Sequence, residues 1–189
     1  MLLLVPNFEN PMLNRVAQGD MSIFGENHDF TLTEYARYQD WNALIVAANK
    51  GYLNLVNCLL DIAEVSANAA ADYNSALMMA AAKGHFEVVN RLLEIEVVIE
   101  NAAARNNDAL RWAVVYGDLK IVNRLLEIGE VSANAAIWNN KALICAAAYG
   151  NLAVVNRLLE IAEVSANAAA MNNCALGMAA AKGHLEVVN

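Results

Sequence analysis

Polar and apolar positions along the chain fall into two helical rhythms that recur at a fixed interval. In residues 75–84, Leu77, Ala80 and Ala81 share one side at helical spacing, and Gly84 stands where a helix closes with a left-handed residue. In residues 85–95, Val88, Val89, Leu92 and Leu93 make one apolar stripe, which predicts a second helix. We refer to these as helix A and helix B. The same residues return every 33 positions: Leu44, Leu77, Leu110, Leu143 and Leu176; Ala47, Ala80, Ala113, Ala146 and Ala179; Gly51, Gly84, Gly117, Gly150 and Gly183. The period covers residues 41–189 and makes four full units and a truncated fifth. Helices this short cannot bury their stripes alone, but stacked neighbours bury a continuous core, each leucine contributing roughly 1.5 to 3 kcal/mol. The alanine columns let adjacent units approach closely. The pattern predicts an all-α solenoid of stacked helix-turn-helix units with short loop or hairpin connections.

Composition supports that reading and narrows the function. Of the 189 residues 58% are hydrophobic and 17% charged, which excludes a disordered chain, and the 2 prolines and 9 dispersed glycines favour helices over a sandwich or barrel. The net charge of −8 argues against nucleic acid and anionic lipid surfaces as partners. The apolar run at residues 1–5 stops at Pro6 and lacks a basic leader, so it does not read as a signal peptide, and no membrane span appears. Cys58, Cys145 and Cys174 have no ligand spacing. The expected location is the cytoplasm, or a host cytosol if the chain is a secreted bacterial effector.

Leu77, Ala80, Ala81, Gly84, His85, Val89, Leu92 and Leu93 fall on the positions that define the ankyrin repeat, and with few exceptions so do their equivalents in the other units. Over residues 41–189 the chain therefore resembles the ankyrin repeat family, with a wording similar to arrays in effector proteins of intracellular bacteria. It departs at the family proline, here Ala43, Ala76, Ala109, Ala142 and Ala175, and at the hairpin tips, which are segments of the Ser-Ala-Asn-Ala-Ala type without glycine. Such tips disfavour a two-residue primed turn and predict poorly formed loops. Asn42, Ser75 and Asp108 stand where a side-chain oxygen would cap helix A, with Asn140 and Asn173 substituting where Lys141 and Cys174 cannot.

Residues 1–40 break the period. Residues 16–24 imitate 114–122, which predicts a degenerate N-terminal capping repeat or leader, and Thr31 to Glu34 has the spacing of a capping box. The sequence stops inside a helix B, and the expectation is a fragment of a longer array.

Chemistry is sparse. There is no phosphate loop, and His28, His85 and His184 lack zinc-type partners. We expect no catalytic residue, no cofactor and no metal. His85 and His184 read as backbone hydrogen-bonding turn residues, the Arg91, Arg124, Arg157 and Glu94, Glu127, Glu160 columns as a solvated face, and the asparagine columns beginning at Asn57 and Asn68 as ladders between units.

Core columns barely change between units, whereas Gln39, Asp72, Arg105, Trp138 and Met171 differ each time. The ankyrin resemblance implies a concave surface built from tips and the open face of helix A. Carried over by position, the partner-binding candidates are Asp72, Tyr73, Arg105, Trp112, Tyr116, Trp138 and Tyr149, with Val115 and Ala148 beside them. A competing reading has Trp112 filling space between helices. The expected function is a non-enzymatic protein-binding module with an acidic, aromatic face, taking a partner protein of neutral or basic surface and no nucleic acid, membrane or small-molecule substrate. The alternative is the targeting arm of a larger effector-type protein whose activity lies beyond residue 189.

Overall fold

The computed structural model describes residues 42–188. The readings made for residues 1–40, including His28 and Gln39, lie outside the described residues. Fourteen helices follow one another with no strand among the described residues. Helix A of the successive units is α1 (Asn42–Lys50), then, counting the turn that precedes it, α4 (Ala71–Ala82), α7 (Ala104–Tyr116), α10 (Ile137–Ala148) and α13 (Ala170–Lys182). Helix B is α2 (Leu53–Leu60), α5 (Phe86–Leu92), α8 (Leu119–Leu126), α11 (Leu152–Leu159) and α14 (Leu185–Val188). Each A helix packs on the next A helix and on its own B helix, so the chain builds two layers of parallel rows.

The core lies between those layers. Leu77, Leu92 and Val89 are fully buried, and Ala80 and Ala81 with their equivalents Ala47, Ala48, Ala113, Ala146 and Ala147 hold the A helices close together. In the last unit Leu176 and Leu185 are exposed, at 49% and 68%.

The A-to-B turn also carries the contact between neighbours. Gly84 has φ +74, the left-handed conformation that closes the helix without a Cβ penalty. A Cβ built there would enter the ring of Tyr116 from the following unit, and one at Gly51 would lie 2.6 Å from His85 Nδ1. Gly51, Gly84, Gly117 and Gly150 are thus fixed twice, by backbone conformation and by the side chain laid across each.

The connection between units differs from the loops expected. Each B helix leads through an extended isoleucine (Ile62, Ile95, Ile128, Ile161) into a third, one-turn helix: α3 (Ala63–Ala67), α6 (Glu96–Glu100), α9 (Gly129–Ala133) and α12 (Ala162–Ala166). Apart from Gly129 at the start of α9 these segments lack glycine, which disfavours a primed turn, while their Ala and Glu favour a helix. Val65, Val98, Val131 and Val164 anchor these short helices in the core.

Helix A starts also depart from the expected caps. Ser75 Oγ donates to the Asp72 carbonyl and carboxylate at 2.7 and 2.8 Å, Asp108 is ion-paired with Arg111, and Asn140 donates from Nδ2 to the Val164 carbonyl at 2.7 Å. None of the three serves as a conventional acceptor cap on helix A. Three left-handed residues precede the regular part of α4, α7, α10 and α13, in place of the extended residue from which an acceptor cap normally reaches the first free N–H groups. Asp118 is a side-chain cap, of α8, accepting from Lys120 N at 2.9 Å and Ile121 N at 3.1 Å.

Gly84→Ala is expected to lower thermal stability by more than about 1 kcal/mol, through φ and through the displaced Tyr116 ring. Gly129 starts α9 with nothing near its missing Cβ, so Gly129→Ala is expected to raise stability by about 0.5 to 1 kcal/mol. Thermal melts by circular dichroism compare the two, and an equal response to both substitutions would contradict the packing described for Gly84.

Candidate functional site

The variable column stands on an unusual backbone. Before each of α4, α7, α10 and α13 resumes, three consecutive residues adopt left-handed angles: Asp72-Tyr73-Asn74, Arg105-Asn106-Asn107, Trp138-Asn139-Asn140 and Met171-Asn172-Asn173. Asparagine tolerates this conformation, but Arg, Trp and Met do so only at a cost of roughly 1 to 2 kcal/mol per residue. In the first three of these turns a buried hydrogen bond ties the third residue to the fold. Asn74, Asn107 and Asn140 are buried, and their Nδ2 groups donate to the carbonyls of Val98, Val131 and Val164 at 2.7, 2.8 and 2.7 Å. Each bond joins the start of helix A to the short helix of the same unit. The first residue of each turn is left at the surface, with Trp138 59% and Met171 63% exposed.

Two neighbouring tips meet. The Arg105 guanidinium lies 4.4 Å from the centroid of the Tyr73 ring, and its Nη2 is 3.4 Å from Asp72 Oδ1. Asp72, Tyr73 and Arg105 therefore form one exposed cluster across two units, with Trp138 one unit further along the column. On helix A, Trp112, Tyr116 and Tyr149 are exposed, and Val115 and Ala148 are half-buried beside them. Tyr116 serves the scaffold too, since its ring covers Gly84. Trp112 is 44% exposed, more than a residue that only fills the space between helices. All seven sequence candidates thus lie on the tips and the open side of the A layer.

Other columns prove structural. His85 and His184 each donate from Nε2 to a carbonyl of the preceding unit, Asn49 and Ala148, at 3.1 Å, and Asn151 Nδ2 reaches Val114 O at 2.8 Å in the same way. The Asn57 column does join units: Arg91 Nε donates to Asn57 Oδ1 at 3.0 Å and Arg157 Nε to Asn123 Oδ1 at 2.9 Å. Those arginines are thus ties between neighbouring B helices as well as partners of Glu94 and Glu160. The Asn68 column makes no ladder; Asn68, Asn101 and Asn167 donate to carbonyls four residues back and close the short helices. Sequence reasoning missed the buried Asn74 column as a fastening, although an asparagine at every 33rd position was the available signal.

Charge is segregated by layer, which corrects the expectation of an acidic binding face. The A helices and tips carry Lys50, Lys83, Arg105, Arg111, Lys141 and Lys182 against Asp72 and Asp108, an excess of positive charge. Both carboxylates there are already paired, with Arg105 and Arg111. The B helices, the short helices and their ends carry twelve carboxylates against Arg91, Lys120, Arg124 and Arg157. The two sides together account for −4 of the net charge of −8, and residues 1–41 hold the rest, so the net charge describes neither side.

Among the described residues no group of three or more His, Cys, Asp or Glu is placed to hold a metal. An open cleft of about 370 Å³ runs from Gly51 past Gly84 to Val88, but the Nε2 of His85 in its wall is engaged by Asn49.

A family model described as ankyrin repeats matches the chain in three overlapping copies, over residues 21–102, 44–137 and 110–189. No curated protein matches the chain.

Replacing a tip fastening by its acidic isostere provides a test with a pH signature. Asn140→Asp would set a buried carboxyl against the Val164 carbonyl, a geometry that the protonated acid satisfies and the carboxylate does not. Its folded pKa is then raised above the unfolded value, so stability is kept at low pH and lost as pH rises through the carboxyl range. Thermal melts at pH 4 and pH 7 are expected to differ by about 3 kcal/mol more than in the unaltered protein. An identical pH response in both would show that this amide does not hold the tip.

Proposed function

The chain belongs to the ankyrin repeat family, whose repeats are protein–protein interaction modules, and on that premise we propose that it binds a partner protein through its tips and the open side of the A layer. The observation that carries the reading is the first left-handed position of each tip, occupied in turn by Asp72, Arg105, Trp138 and Met171. A scaffold seeking only stability would place Gly or Asn there, as it places Asn at the third position. Bulky, exposed and different residues held in a costly conformation fit selection for contact with another molecule. The aromatic surface of Tyr73, Trp112, Tyr116, Trp138 and Tyr149 supplies large rigid anchors next to Arg105, the residue types that dominate interface energetics. On this reading the chain contributes binding, and the neighbouring core columns only set the spacing of the contacts.

The double variant Trp138→Ala/Tyr149→Ala tests it. Both side chains are 59% exposed, so stability is expected to change by less than about 0.5 kcal/mol while capture of partner proteins from cytosolic extracts is lost. Affinity capture with quantitative mass spectrometry reads the result. Equal recovery of every captured protein on both baits would sink the assignment of this surface.

A further inference from the structure

We propose that the partner segment received by this surface is acidic and carries apolar side chains, an inference that rests on the reading above and adds the partner's chemistry to it. Three observations converge. Among the described residues charge is segregated, so those on the face that holds the exposed aromatics are in positive excess within a chain of net charge −8. The two carboxylates on that face are neutralised by Arg105 and Arg111, whereas Lys50, Lys83, Lys141 and Lys182 are exposed and make no ion pair with a described residue. Lysine placement also exceeds what the fold requires.

The last point can be argued column by column. Lys50, Lys83 and Lys182 share the last exposed position of helix A with Tyr116 and Tyr149. A cation there complements the helix dipole, but two of five units dispense with it, so the scaffold does not demand charge. Lys141 is at the opposite end. It begins the regular part of α10, directly after the left-handed Asn140, where Ser75 and Asp108 stand in other units. A cation in that first turn opposes the dipole and is unfavourable by a few tenths of a kcal/mol. Lys141 is best explained by something outside the chain. Two tyrosines flanked by lysines along one column, with Trp138 and Lys141 only three residues apart, present alternating apolar and cationic contacts. The complementary strand of chemistry is Asp or Glu interspersed with large apolar residues. A basic partner would instead meet repulsion on this face and attraction on the opposite layer, where the carboxylates predominate. Single-stranded RNA shares the negative charge and the liking for aromatic faces, but four dispersed lysines offer no continuous track for a phosphate backbone, and the rest of the chain repels it.

The experiment is selection of a random 16-residue phage-displayed peptide library on the immobilised full chain, followed by binding of the enriched peptides, as synthetic fluorescent probes, to four proteins. These are the unaltered chain, Trp138→Ala/Tyr149→Ala, Lys83→Glu/Lys141→Glu/Lys182→Glu, and the opposite-layer control Glu130→Lys/Glu163→Lys, each checked for folding by its thermal melt. The expected result is enrichment of acidic, apolar peptides whose affinity falls at least about tenfold on the lysine reversal, falls on the aromatic variant, and is retained on the control. Enriched peptides that are basic or neutral, need Trp138 and Tyr149, and keep their affinity on the lysine reversal would overturn the acidic partner and leave the binding surface standing. Peptides indifferent to the aromatic variant, or no enrichment at all, would overturn the surface itself and this inference with it. Displacement of the peptides by polyuridylate at equal phosphate-to-carboxylate concentration would overturn a protein segment in favour of a nucleic acid.

Discussion

Three successive units are each held closed by one amide that reaches 24 residues ahead: Asn74 to Val98, Asn107 to Val131, Asn140 to Val164. The bond is buried, so breaking it would leave a carbonyl without its partner in a place water reaches poorly, a cost of about 1 to 3 kcal/mol. That cost offsets part of the strain of the left-handed triplets at 72–74, 105–107 and 138–140, while the triplet at 171–173 keeps the same angles with Asn173 exposed. The side chain at the first position of a triplet takes no part in the bond. The arrangement therefore separates holding the tip from choosing what the tip displays, which is why Asp, Arg, Trp and Met can follow one another in a single column.

Units are joined by a second set of ties that use different side chains for the same task. His85, Asn151 and His184 reach back to a carbonyl of the preceding unit, while Asp118 at the same position turns inward and caps its own helix. Glycine beneath this residue or beneath Tyr116 leaves space for the ring or amide to lie flat on the backbone. On the other layer, Arg91 and Arg157 reach back to Asn57 and Asn123. All of these contacts span one unit boundary, as expected for a structure whose cohesion is a chain of nearest-neighbour terms.

The layering has an electrostatic consequence. Carboxylates sit on the B helices and around the short helices, and at Glu94, Glu127 and Glu160 they pair with arginines of the same helix. Lysines sit on the A helices. A molecule of strongly negative net charge therefore presents a cationic, aromatic side, and attraction at close range on that side works against repulsion from the whole at long range. Association governed this way is selective for a ligand that engages the face directly, because screening by salt removes the distant repulsion before it removes the contact.

The register of the 33-residue unit, both principal helices, their buried faces and the exposed positions of Trp138 and Tyr149 were legible in the sequence, since they follow from periodicity alone: a stripe that recurs at helical spacing must be buried, and a column that does not repeat is not needed by the core. The family was legible for the same reason. The one-turn helix at Ala63–Ala67 and its equivalents was not, because five residues are too few for a periodic signal and the segment becomes helical only once Val65 is buried. Nor was the left-handed triplet, which no local preference of Arg105 or Trp138 favours and which Asn107 and Asn140 tie to a carbonyl 24 residues away that only the fold brings near. The sign of the charge on the aromatic side was likewise decided by tertiary structure: net charge is a property of composition, whereas the field at a surface depends on which layer each residue occupies.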